Sequence, residues 1–348
     1  MAKTIRIGEQ TIGDGARAFI VAETAQAHDG SLGTAHVFID SAADAGADAI
    51  KFQTHFANEE STLDEPFRVK FSRQDETRYD YWRRMEFTEE QWAGLASHAR
   101  DRGIIFLSSA FSLKAVELLD GLGVPAWKVA SGEVSSESML QAMARTNKPL
   151  ILSSGMSGWA EIDGQVERLK GAGTNFAVMQ CTSRYPTALE DVGLNIMTEM
   201  RHRYDCPVGL SDHTGTPYAA LAALAQGADL VELHLALHER QFGPDTTTSV
   251  TLEQLTEIVR ARDAFHVMAT NSVDKDAMAE ALAPTRAIFS RSLAPARELS
   301  AGTVLTDDMI ALRKPGTGIP ESRLEDFVGR RLARDVDGCH IFRPEDFE

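Results

Sequence analysis

The stretch VGLSDHTGTPYAALAALAQGADLVELHL, residues 208–235, decides the fold of this chain. It contains a short apolar run at 208–213, a helical pattern that starts near Pro217, and a second apolar run at 230–235. Strand, helix and strand in this order predict two parallel strands joined by a crossover helix. Gly227, just before the second run, is typical of the end of a helix. The same unit recurs along most of the chain.

Eight such apolar runs, each followed by a helical pattern, can be found in the sequence. They are 18–23, 49–55, 104–110, 126–131, 150–154, 176–182, 208–213 and 230–235. Repeated units of this kind predict an α/β fold with a parallel sheet, and eight units over about 250 residues match the size of a (β/α)8 TIM barrel. A doubly wound open sheet is the structural alternative. As a dinucleotide-binding fold it would need a glycine-rich turn after the first strand, and residues 22–26, AETAQ, do not form one.

Three segments fall outside the repeat. Residues 1–16 contain a short alternating run and the turn sequence GDG, which predict a hairpin before the barrel. Residues 56–87 form a charged, aromatic insertion, which we expect either at the rim of an active site or packed on the outer helices. Short β segments with turns, from Pro284 to Glu348, predict a small second domain. The predicted domains are a barrel with its hairpin at 1–268, a linker at 269–283 and a second domain at 284–348.

Composition limits the classes of partner. The 348 residues are 43% hydrophobic and 25% charged, as in ordinary globular proteins. The net charge of −16 argues against nucleic acid or an anionic membrane, since both need a basic face. The sequence shows no membrane span and no signal-peptide core, so we expect a cytoplasmic protein. Cys181, Cys206 and Cys339 are too few for a disulfide framework, and we expect reduced core thiols.

Polar residues interrupt the predicted strands near their carboxyl ends, although strands of an all-parallel sheet should be almost wholly apolar. Residues in one strand that are two positions apart face the same way. The interruptions are Glu23, Lys51-Gln53-His55, Ser108-Ser109, Lys128 with Ser131, Ser153-Ser154, Ser211-Asp212-His213 and Glu232 with His234. Each alone fits a solvated, paired or capping residue. Their shared position indicates a site, because the strand ends of a barrel meet at one mouth.

Two chemistries fit these residues. The two lysines and the serines make a cationic patch, rich in hydrogen-bond donors, that suits phosphate or carboxylate. His213 and His234 lie on neighbouring predicted strands, and two imidazoles with open positions suit a divalent transition metal that acts as a Lewis acid. A single histidine is more often a hydrogen-bonded structural residue than a ligand, and two histidines alone are a weak metal signal, so both alternatives stay open from the residues alone.

Motifs spread over almost the whole chain resemble the sialic acid synthase (N-acetylneuraminate synthase) family. They are AE at 22–23, HDG at 28–30, KFQTH at 51–55, WKVASGE at 127–133, LSSGM at 152–156, QCTSRYPT at 180–187, GLSDHT at 209–214, ELH at 232–234 and GPD at 243–245. KPGTGI at 314–319 resembles the antifreeze-like (SAF) domain of the same family. The order of the motifs matches the family, and together they are far more specific than any one of them.

The resemblance implies condensation of phosphoenolpyruvate with an open-chain N-acylated aminosugar to give a nine-carbon 2-keto acid and phosphate. The acceptor would be N-acetylmannosamine or a 2,4-diacetamido-2,4,6-trideoxyhexose. It implies that Mn2+, or another divalent metal such as Mg2+ or Co2+, is held by His213 and His234. It also implies a homodimer in which the SAF domain covers the partner's barrel.

The resemblance assigns roles to individual residues. Catalysis would fall to Glu23, Lys51, Lys128, His213 and His234. Phosphoenolpyruvate would be bound by Lys51, Ser109, Lys128, Ser131, Ser153, Ser183 and Ser211. The sugar would be bound by Gln53, Tyr185, Glu232, Asp245 and Lys314.

Departures from the family pattern concern the sugar more than the chemistry. Residues 24–27, TAQA, replace the usual middle of the first motif, and Ser183 replaces an asparagine found in some members. Lys314 stands where an arginine often reaches the substrate. Two other functions stay open. One is a non-catalytic carbohydrate-binding protein on the same fold, and the other is a phosphoenolpyruvate-dependent synthase that makes a shorter keto acid.

Overall fold

The computed structural model describes residues 4–348. The chain divides into two compact units, of which the first ends at Thr270 and the second is Asn271–Glu348. The predicted division into 1–268, 269–283 and 284–348 stays a prediction, and residues 1–3 of its first segment lie outside the described residues.

The first unit contains a closed barrel of eight parallel strands. Each barrel strand pairs with the next one along the chain, and the last pairs with both its predecessor and the first. This closure confirms the predicted α/β fold and (β/α)8 barrel. The strands are the hairpin pair β1 Ile5–Ile7 and β2 Gln10–Ile12, the barrel strands β3 Phe19–Ala25, β4 Ala49–Thr54, β5 Ile105–Ala110, β6 Trp127–Val129, β7 Leu150–Ser153, β8 Phe176–Cys181, β9 Val208–Asp212 and β10 Leu230–Leu235, and β11 Ser249–Val250, which pairs with β10.

Helices follow the barrel strands. They are α1 Leu32–Ala45, α2 Ala57–Glu60, α3 Arg78–Met85, α4 Glu89–Asp101, α5 Leu113–Gly121, α6 Glu137–Arg145, α7 Trp159–Gly171, α8 Leu194–Tyr204, α9 Pro217–Ala225 and α10 Leu252–Thr270. The side chains of Ser31 and Thr88 cap the amino ends of α1 and α4. Gly46, with a φ of 80°, ends α1 in the left-handed conformation that favours glycine. Among residues 4–348, no helix is long and apolar enough to cross a membrane.

Side chains of the barrel strands alternate between two cores. In β4, Ile50 and Phe52 pack in the core between strands and helices, whereas Ala49 packs in the core inside the barrel. Because alternate residues of a strand face opposite sides, Lys51 and Gln53 share the inner side with Ala49. The inner residues therefore change from apolar at the start of the strand to polar at its end.

The hairpin closes the amino-terminal end of the barrel. Its Ile5, Ile7 and Ile12 are buried in the same core as Phe19 and Leu230, which begin two barrel strands. Water is thus excluded from that end, and the polar inner residues lie at the opposite end. A β/α barrel carries its active site at this carboxyl end.

The second unit has a core of its own, built around Leu293, Phe327 and Phe342. Its elements are α11 Lys275–Ala281, α12 Ala283–Phe289, the antiparallel pair β12 Ser292–Pro295 and β13 Ile310–Arg313, and α13 Leu324–Phe327. The expectation of β segments from Pro284 onward is wrong for the first residues, which form α12. Pro284 lies in the first turn of this helix, where its missing N–H costs no hydrogen bond.

All three cysteines are free thiols. Cys181 and Cys206 are buried as expected, but the expected core position is wrong for Cys339, which is exposed. Cys339 follows a turn, and its N–H donates to Asp337 Oδ1 at 2.7 Å, so its side chain leaves the small core of the second unit.

A buried ion pair fastens α10 to the barrel. Arg262 Nη1 lies 2.6 Å from Asp48 Oδ2, and the two side chains are 2% and 3% exposed. The same oxygen accepts the N–H of Ile20 at 2.8 Å. We predict that Arg262→Ala lowers the free energy of unfolding of the first unit by about 3–5 kcal/mol, because it breaks a buried pair from one side. Urea unfolding followed by tryptophan fluorescence measures this, since all four tryptophans precede Thr270.

Arg17→Ala is the matched control. Arg17 Nη2 lies 2.8 Å from the other oxygen of Asp48, but its side chain is 43% exposed. Its removal is expected to cost less than about 1 kcal/mol, as for other surface ion pairs. Equal losses in the two variants would contradict the claim that burial gives the Arg262 pair its effect.

Candidate active site

A cavity of about 860 Å³ opens at the carboxyl ends of the barrel strands. Strand-end residues line it together with residues of the 56–87 insertion. The predicted site residues in its wall are Glu23, Lys51, Gln53, Ser109, Ser131, Ser183, Tyr185, Ser211, His213, Glu232, His234 and Asp245. Lys128 and Ser153 are buried behind this wall, where Lys128 contacts Glu232. Lys314 belongs to the second unit, where its Nζ lies 5.2 Å from the centre of the Phe289 ring.

Four buried charges form a cluster at the cavity, with Glu23, Lys51 and Glu232 in its wall and Lys128 behind it. Lys51 Nζ contacts Glu23 Oε2 and lies 3.7 Å from Glu232 Oε1. Lys128 Nζ lies 3.2 Å from the same Glu232 oxygen. Two ammonium groups and two carboxylates balance formally, which offsets part of the cost of removing each charge from water.

Burial and pairing set the pKa values of the cluster together. Burial raises the pKa of Glu23 to about 7, although Lys51 opposes the shift. Burial also lowers the pKa of Lys128, which Glu232 offsets only in part. For Lys51 and Glu232 the neighbouring charges outweigh the effect of burial. The two carboxylates raise the pKa of Lys51, and the two lysines lower the pKa of Glu232. Glu23 and Lys128 are therefore the two groups in the cluster whose charged forms are least stabilised.

Each lysine of the cluster also has a hydroxyl partner. Lys51 Nζ donates to Ser109 Oγ at 3.3 Å, and Lys128 Nζ donates to Ser153 Oγ at 2.8 Å. Ser109 of β5 pairs in register with Lys128 of β6, and Lys128 in turn contacts Ser153 of β7, so the lysines and hydroxyls form one group of donors across four adjacent strands, β4 to β7. Such a set of donors suits a phosphate or carboxylate group.

Two further hydroxyls approach each other across Gly155. The N–H of Gly155 donates to Ser131 Oγ at 3.1 Å. A side-chain carbon at this glycine would lie under 3.0 Å from both Ser131 Oγ and Ser183 Oγ. The glycine of the LSSGM motif is thus required for both hydroxyls to reach the wall of the cavity.

His213 and His234 face each other in the cavity, with ring centres 5.1 Å apart. His213 Nδ1 lies 3.2 Å from the backbone oxygen of Thr182, which leaves Nε2 free to bind a ligand. Burial lowers the pKa of both imidazoles to about 3, so both are neutral at physiological pH. The carboxylate of Asp212 accepts the N–H of Thr214 at 2.9 Å and braces the turn that carries His213.

This pair fits a divalent transition metal. Neutral imidazole is a preferred ligand of such metals, and one ring is already oriented by a backbone carbonyl. In the described part of the chain, no group of three or more His, Cys, Asp or Glu is arranged to hold a metal. The protein would therefore supply two ligands and leave the other positions to solvent and substrate.

A hydrogen-bonded network fixes the amide of Gln53. Its Oε1 accepts from Gln26 Nε2 at 3.3 Å and lies 3.2 Å from His55 Nε2. Its Nε2 donates to Glu23 Oε1 at 3.1 Å. The other ring nitrogen of His55 lies 2.5 Å from Glu60 Oε1. The amide of Gln53 is therefore fixed in place and donates to Glu23, the carboxylate whose charged form is least stabilised.

Aromatic rings hold His55 in place. Its ring stacks between Trp82 and Phe111, at 4.0 and 4.3 Å between ring centres. Trp82 belongs to α3, so the insertion packs directly on the end of β4. The insertion is therefore part of the cavity wall and does not pack only on the outer helices, which decides between the two predicted positions.

Arg68 of the insertion contacts the side of the cavity opposite β4. Its Nη2 donates to Asp245 Oδ1 at 3.0 Å, and its guanidinium carbon lies 4.0 Å from the centre of the Tyr185 ring. Arg68, Glu60 and Gln26 also line the cavity, and none of them was predicted as a site residue from the sequence. Arg68 lies in a segment without periodicity, and nothing in the sequence separates it from Lys70 and Arg73.

A model of the NeuB family matches residues 38–274, which is more than half of the chain. The chain belongs to the NeuB family. A model of the SAF domain matches residues 290–337. Both matches confirm the predicted family and its small carboxyl-terminal domain.

Relatives of this NeuB-family chain are named synthases. It is 32% identical to the N,N'-diacetyllegionaminic acid synthase of Legionella pneumophila, over 91% of each chain. It is 31% identical to the human N-acetylneuraminate-9-phosphate synthase, over 92% of this chain and 89% of that protein. The sialic acid synthetase of Leptospira borgpetersenii, solved with citrate, matches at a TM-score of 0.72 and 27% identity over 82% of this chain and 97% of that chain. These findings confirm the prediction of an enzyme, a synthase of the sialic acid type, rather than a non-catalytic binding protein.

Arg84 of α3 fastens the insertion of this NeuB-family chain. Nη1 donates to Asp29 Oδ1 at 2.6 Å, and Nη2 donates to Asp75 Oδ2 at 2.7 Å. We predict that Arg84→Ala makes trypsin cleave after Lys70 or Arg73 about tenfold faster than in the wild type, because the charged hydrogen bonds that close the segment are lost. Mass spectrometry of timed digests measures the rates.

Arg83→Ala serves as the control in the same helix. Arg83 is half-exposed, and among the described residues its only ion pair is a 3.7 Å contact with Glu86. We expect wild-type cleavage rates for this variant. Equal rates in all three proteins would show that Arg84 does not hold the insertion.

Proposed function

We propose that this protein condenses phosphoenolpyruvate with an open-chain N-acylated aminosugar to give a nine-carbon 2-keto acid and phosphate. The acceptor is N-acetylmannosamine or a 2,4-diacetamido-2,4,6-trideoxyhexose. One observation carries the proposal: an anion-binding lysine and serine surface and two neutral, facing imidazoles share one cavity in a chain of this family.

Lys51, Lys128 and the serines around them bind phosphoenolpyruvate in this proposal. The pKa of Lys128 is lowered by burial, so an anion beside it stabilises the charged ammonium. Lys51 keeps its proton because two carboxylates surround it. The serine hydroxyls at 109, 131, 153, 183 and 211 supply neutral donors that add no charge to the site.

His213 and His234 are the residues that would hold Mn2+ or a similar divalent ion. When bound there, such an ion acts as a Lewis acid toward the aldehyde oxygen of the acceptor. The two imidazoles are neutral and therefore free to coordinate at physiological pH. Tyr185, with its ring 4.4 Å from that of His213, limits the space beside them.

Glu23 is the residue proposed to hold or move a proton. Carbon 3 of phosphoenolpyruvate forms a bond to the aldehyde carbon, whose oxygen takes a proton. Water adds at carbon 2 and loses a proton. The bond from carbon 2 to the phosphate oxygen then breaks, phosphate leaves, and the new hydroxyl loses its proton to become the keto oxygen. A carboxyl group with a pKa of about 7 can take or give a proton near neutral pH, and Gln53 holds it in place.

Gln53, Tyr185, Glu232 and Asp245 are proposed to bind the sugar. All four line the cavity, and they supply an amide, a hydroxyl and carboxylates. These groups match the hydroxyl and acylamino groups of an aminosugar.

A homodimer and a cytoplasmic location belong to the same proposal. In the dimer, the SAF domain of one subunit covers the barrel mouth of the other, and Lys314 reaches the partner's sugar. Exposed apolar side chains on α12, Ile288 and Phe289, support an interface near the second unit. Sedimentation at several concentrations measures the oligomeric state.

Phosphate release tests the proposed reaction. The purified protein is given phosphoenolpyruvate, Mn2+ and one acceptor at a time: N-acetylmannosamine, a 2,4-diacetamido-2,4,6-trideoxyhexose, erythrose 4-phosphate or arabinose 5-phosphate. We predict release only with an N-acylated aminosugar, and none after chelation of the metal. Release with a pentose or tetrose phosphate instead would indicate a synthase of a shorter keto acid, and no release with any acceptor would refute the proposal.

His234→Ala isolates the metal ligand in the same assay. We expect phosphate release to fall below detection while the circular dichroism spectrum stays unchanged, because the cavity loses one of its two imidazoles. His202→Ala, at an exposed position of α8, is the control and keeps wild-type activity. Full activity of His234→Ala would show that His234 is not a metal ligand.

Lys128→Ala tests the anion-binding surface. We predict that the KM for phosphoenolpyruvate rises by about 10- to 100-fold, as expected for the loss of one charge-assisted hydrogen bond, while the KM for the sugar changes little. Steady-state kinetics with each substrate varied in turn measures both. Lys170→Ala, which removes a surface lysine of α7, leaves both constants unchanged. A normal KM for phosphoenolpyruvate would mean that Lys128 is structural.

A further inference from the structure

Arg68 joins three separate segments of the first unit at the cavity. It lies between α2 and α3 of the insertion, Tyr185 follows β8, and Asp245 follows β10. The guanidinium donates to Asp245 Oδ1 at 3.0 Å and lies over the face of Tyr185 at 4.0 Å. Both contacts are to side chains that the proposed function places around the sugar. Arg68 therefore stands where the acceptor must pass or bind.

The guanidinium has donors to spare. Among residues 4–348 its only hydrogen bond is the one to Asp245, and a guanidinium carries five N–H groups. The side chain is 46% exposed and lines the cavity. Contact with Asp245 and Tyr185 fixes the plane of the group, so its remaining donors are held in place for a ligand. A lysine could not make both contacts with one planar group.

The charges around Arg68 favour an uncharged ligand. Arg68 is paired with Asp245, and Arg78, the other arginine in the wall, is paired with Glu65 at 3.0 Å. Asp245 and Glu65 are the carboxylates that pair with these two arginines, so the local charges balance. A phosphate group on the acceptor would find no unpaired arginine here.

We propose that Arg68 is a specificity residue for an uncharged acceptor. Arg68 donates to a carbonyl or hydroxyl oxygen of the acylamino sugar, a role that rests on the proposed function. Asp245 holds the guanidinium and neutralises it, so that a sugar phosphate gains no free cation. The acceptor class is then a neutral N-acylated aminosugar rather than its phosphate ester.

Kinetics of Arg68 variants test the first part. The acceptor used is the uncharged sugar with the highest kcat/KM in the phosphate-release assay. Its concentration is varied at saturating phosphoenolpyruvate, and phosphoenolpyruvate is then varied at a saturating concentration of this acceptor. For Arg68→Ala we expect the KM for the acceptor to rise by about tenfold or more and the KM for phosphoenolpyruvate to stay within about twofold. Arg68→Lys is expected to resemble Arg68→Ala, because charge alone does not replace the planar fork. Arg73→Ala, at an exposed position of the same insertion, is the matched control and leaves both constants unchanged.

Charge discrimination tests the second part. We expect the wild type to release phosphate with N-acetylmannosamine or the diacetamido sugar, and at least about tenfold less efficiently with N-acetylmannosamine 6-phosphate. Asp245→Asn removes the carboxylate that neutralises Arg68. We expect this variant to reduce the ratio of kcat/KM for the uncharged sugar to kcat/KM for the sugar phosphate.

The outcomes separate the two proposals. If the wild type releases no phosphate with any acceptor, the proposed function fails. If the wild type is active but Arg68→Ala keeps its acceptor KM, or Arg68→Lys restores it, Arg68 is not a specificity residue. A preference of the wild type for N-acetylmannosamine 6-phosphate would overturn the inference of an uncharged acceptor while leaving the condensation reaction intact.

Discussion

The barrel mouth depends on the mutual pairing of four charges that are buried together. Glu23, Lys51, Lys128 and Glu232 come from four different strands, and none could be buried singly without a large cost in solvation free energy. Their contacts require that the strand ends stay at fixed distances from one another. The barrel in turn provides these distances, because its closure brings β10 beside β3. Fold and site are therefore consequences of the same closure.

The cluster is balanced but not uniform. Lys51 lies between two carboxylates, whereas Lys128 has one carboxylate and a serine hydroxyl. Burial disfavours the charged form of both lysines, but the two carboxylates outweigh it at Lys51, whose pKa is raised, and not at Lys128, whose pKa is lowered. Burial also raises the pKa of Glu23 toward neutrality. The site thus contains a cation that stays charged, Lys51, and a second cation, Lys128, whose charged form an anion would stabilise. It also contains a carboxyl group, Glu23, with a pKa near neutral pH. This combination suits an anionic substrate and proton transfer.

Much of the fold was predictable because its signals are periodic. The eight strands follow from repeated apolar runs, and their polar ends follow from positions two residues apart such as Lys51 and Gln53. The inner face of most barrel strands is apolar at its start and polar at its end, so sequence spacing already grouped most of the cavity wall. The positions of Lys128 and Ser153 behind that wall were not predictable, because depth within a barrel depends on the stagger of neighbouring strands.

The insertion shows where sequence reasoning stops. Its charged and aromatic residues have no helical or strand period, so no pattern could indicate that Arg68 reaches Tyr185 and Asp245 or that Glu60 reaches His55. Those contacts depend on side chains far apart in the sequence. The helix at 283–289 was missed for a different reason, since a proline suggests a turn unless it lies in the first helical turn.

The most direct measurement is crystallography of the protein with Mn2+ and phosphoenolpyruvate, with diffraction data collected on both sides of the manganese absorption edge. We predict an anomalous peak within bonding distance of His213 and His234, and density for the phosphate of phosphoenolpyruvate against Lys128 and the serine hydroxyls. A manganese peak away from both imidazoles, or phosphoenolpyruvate bound outside the barrel mouth, would contradict the proposed site.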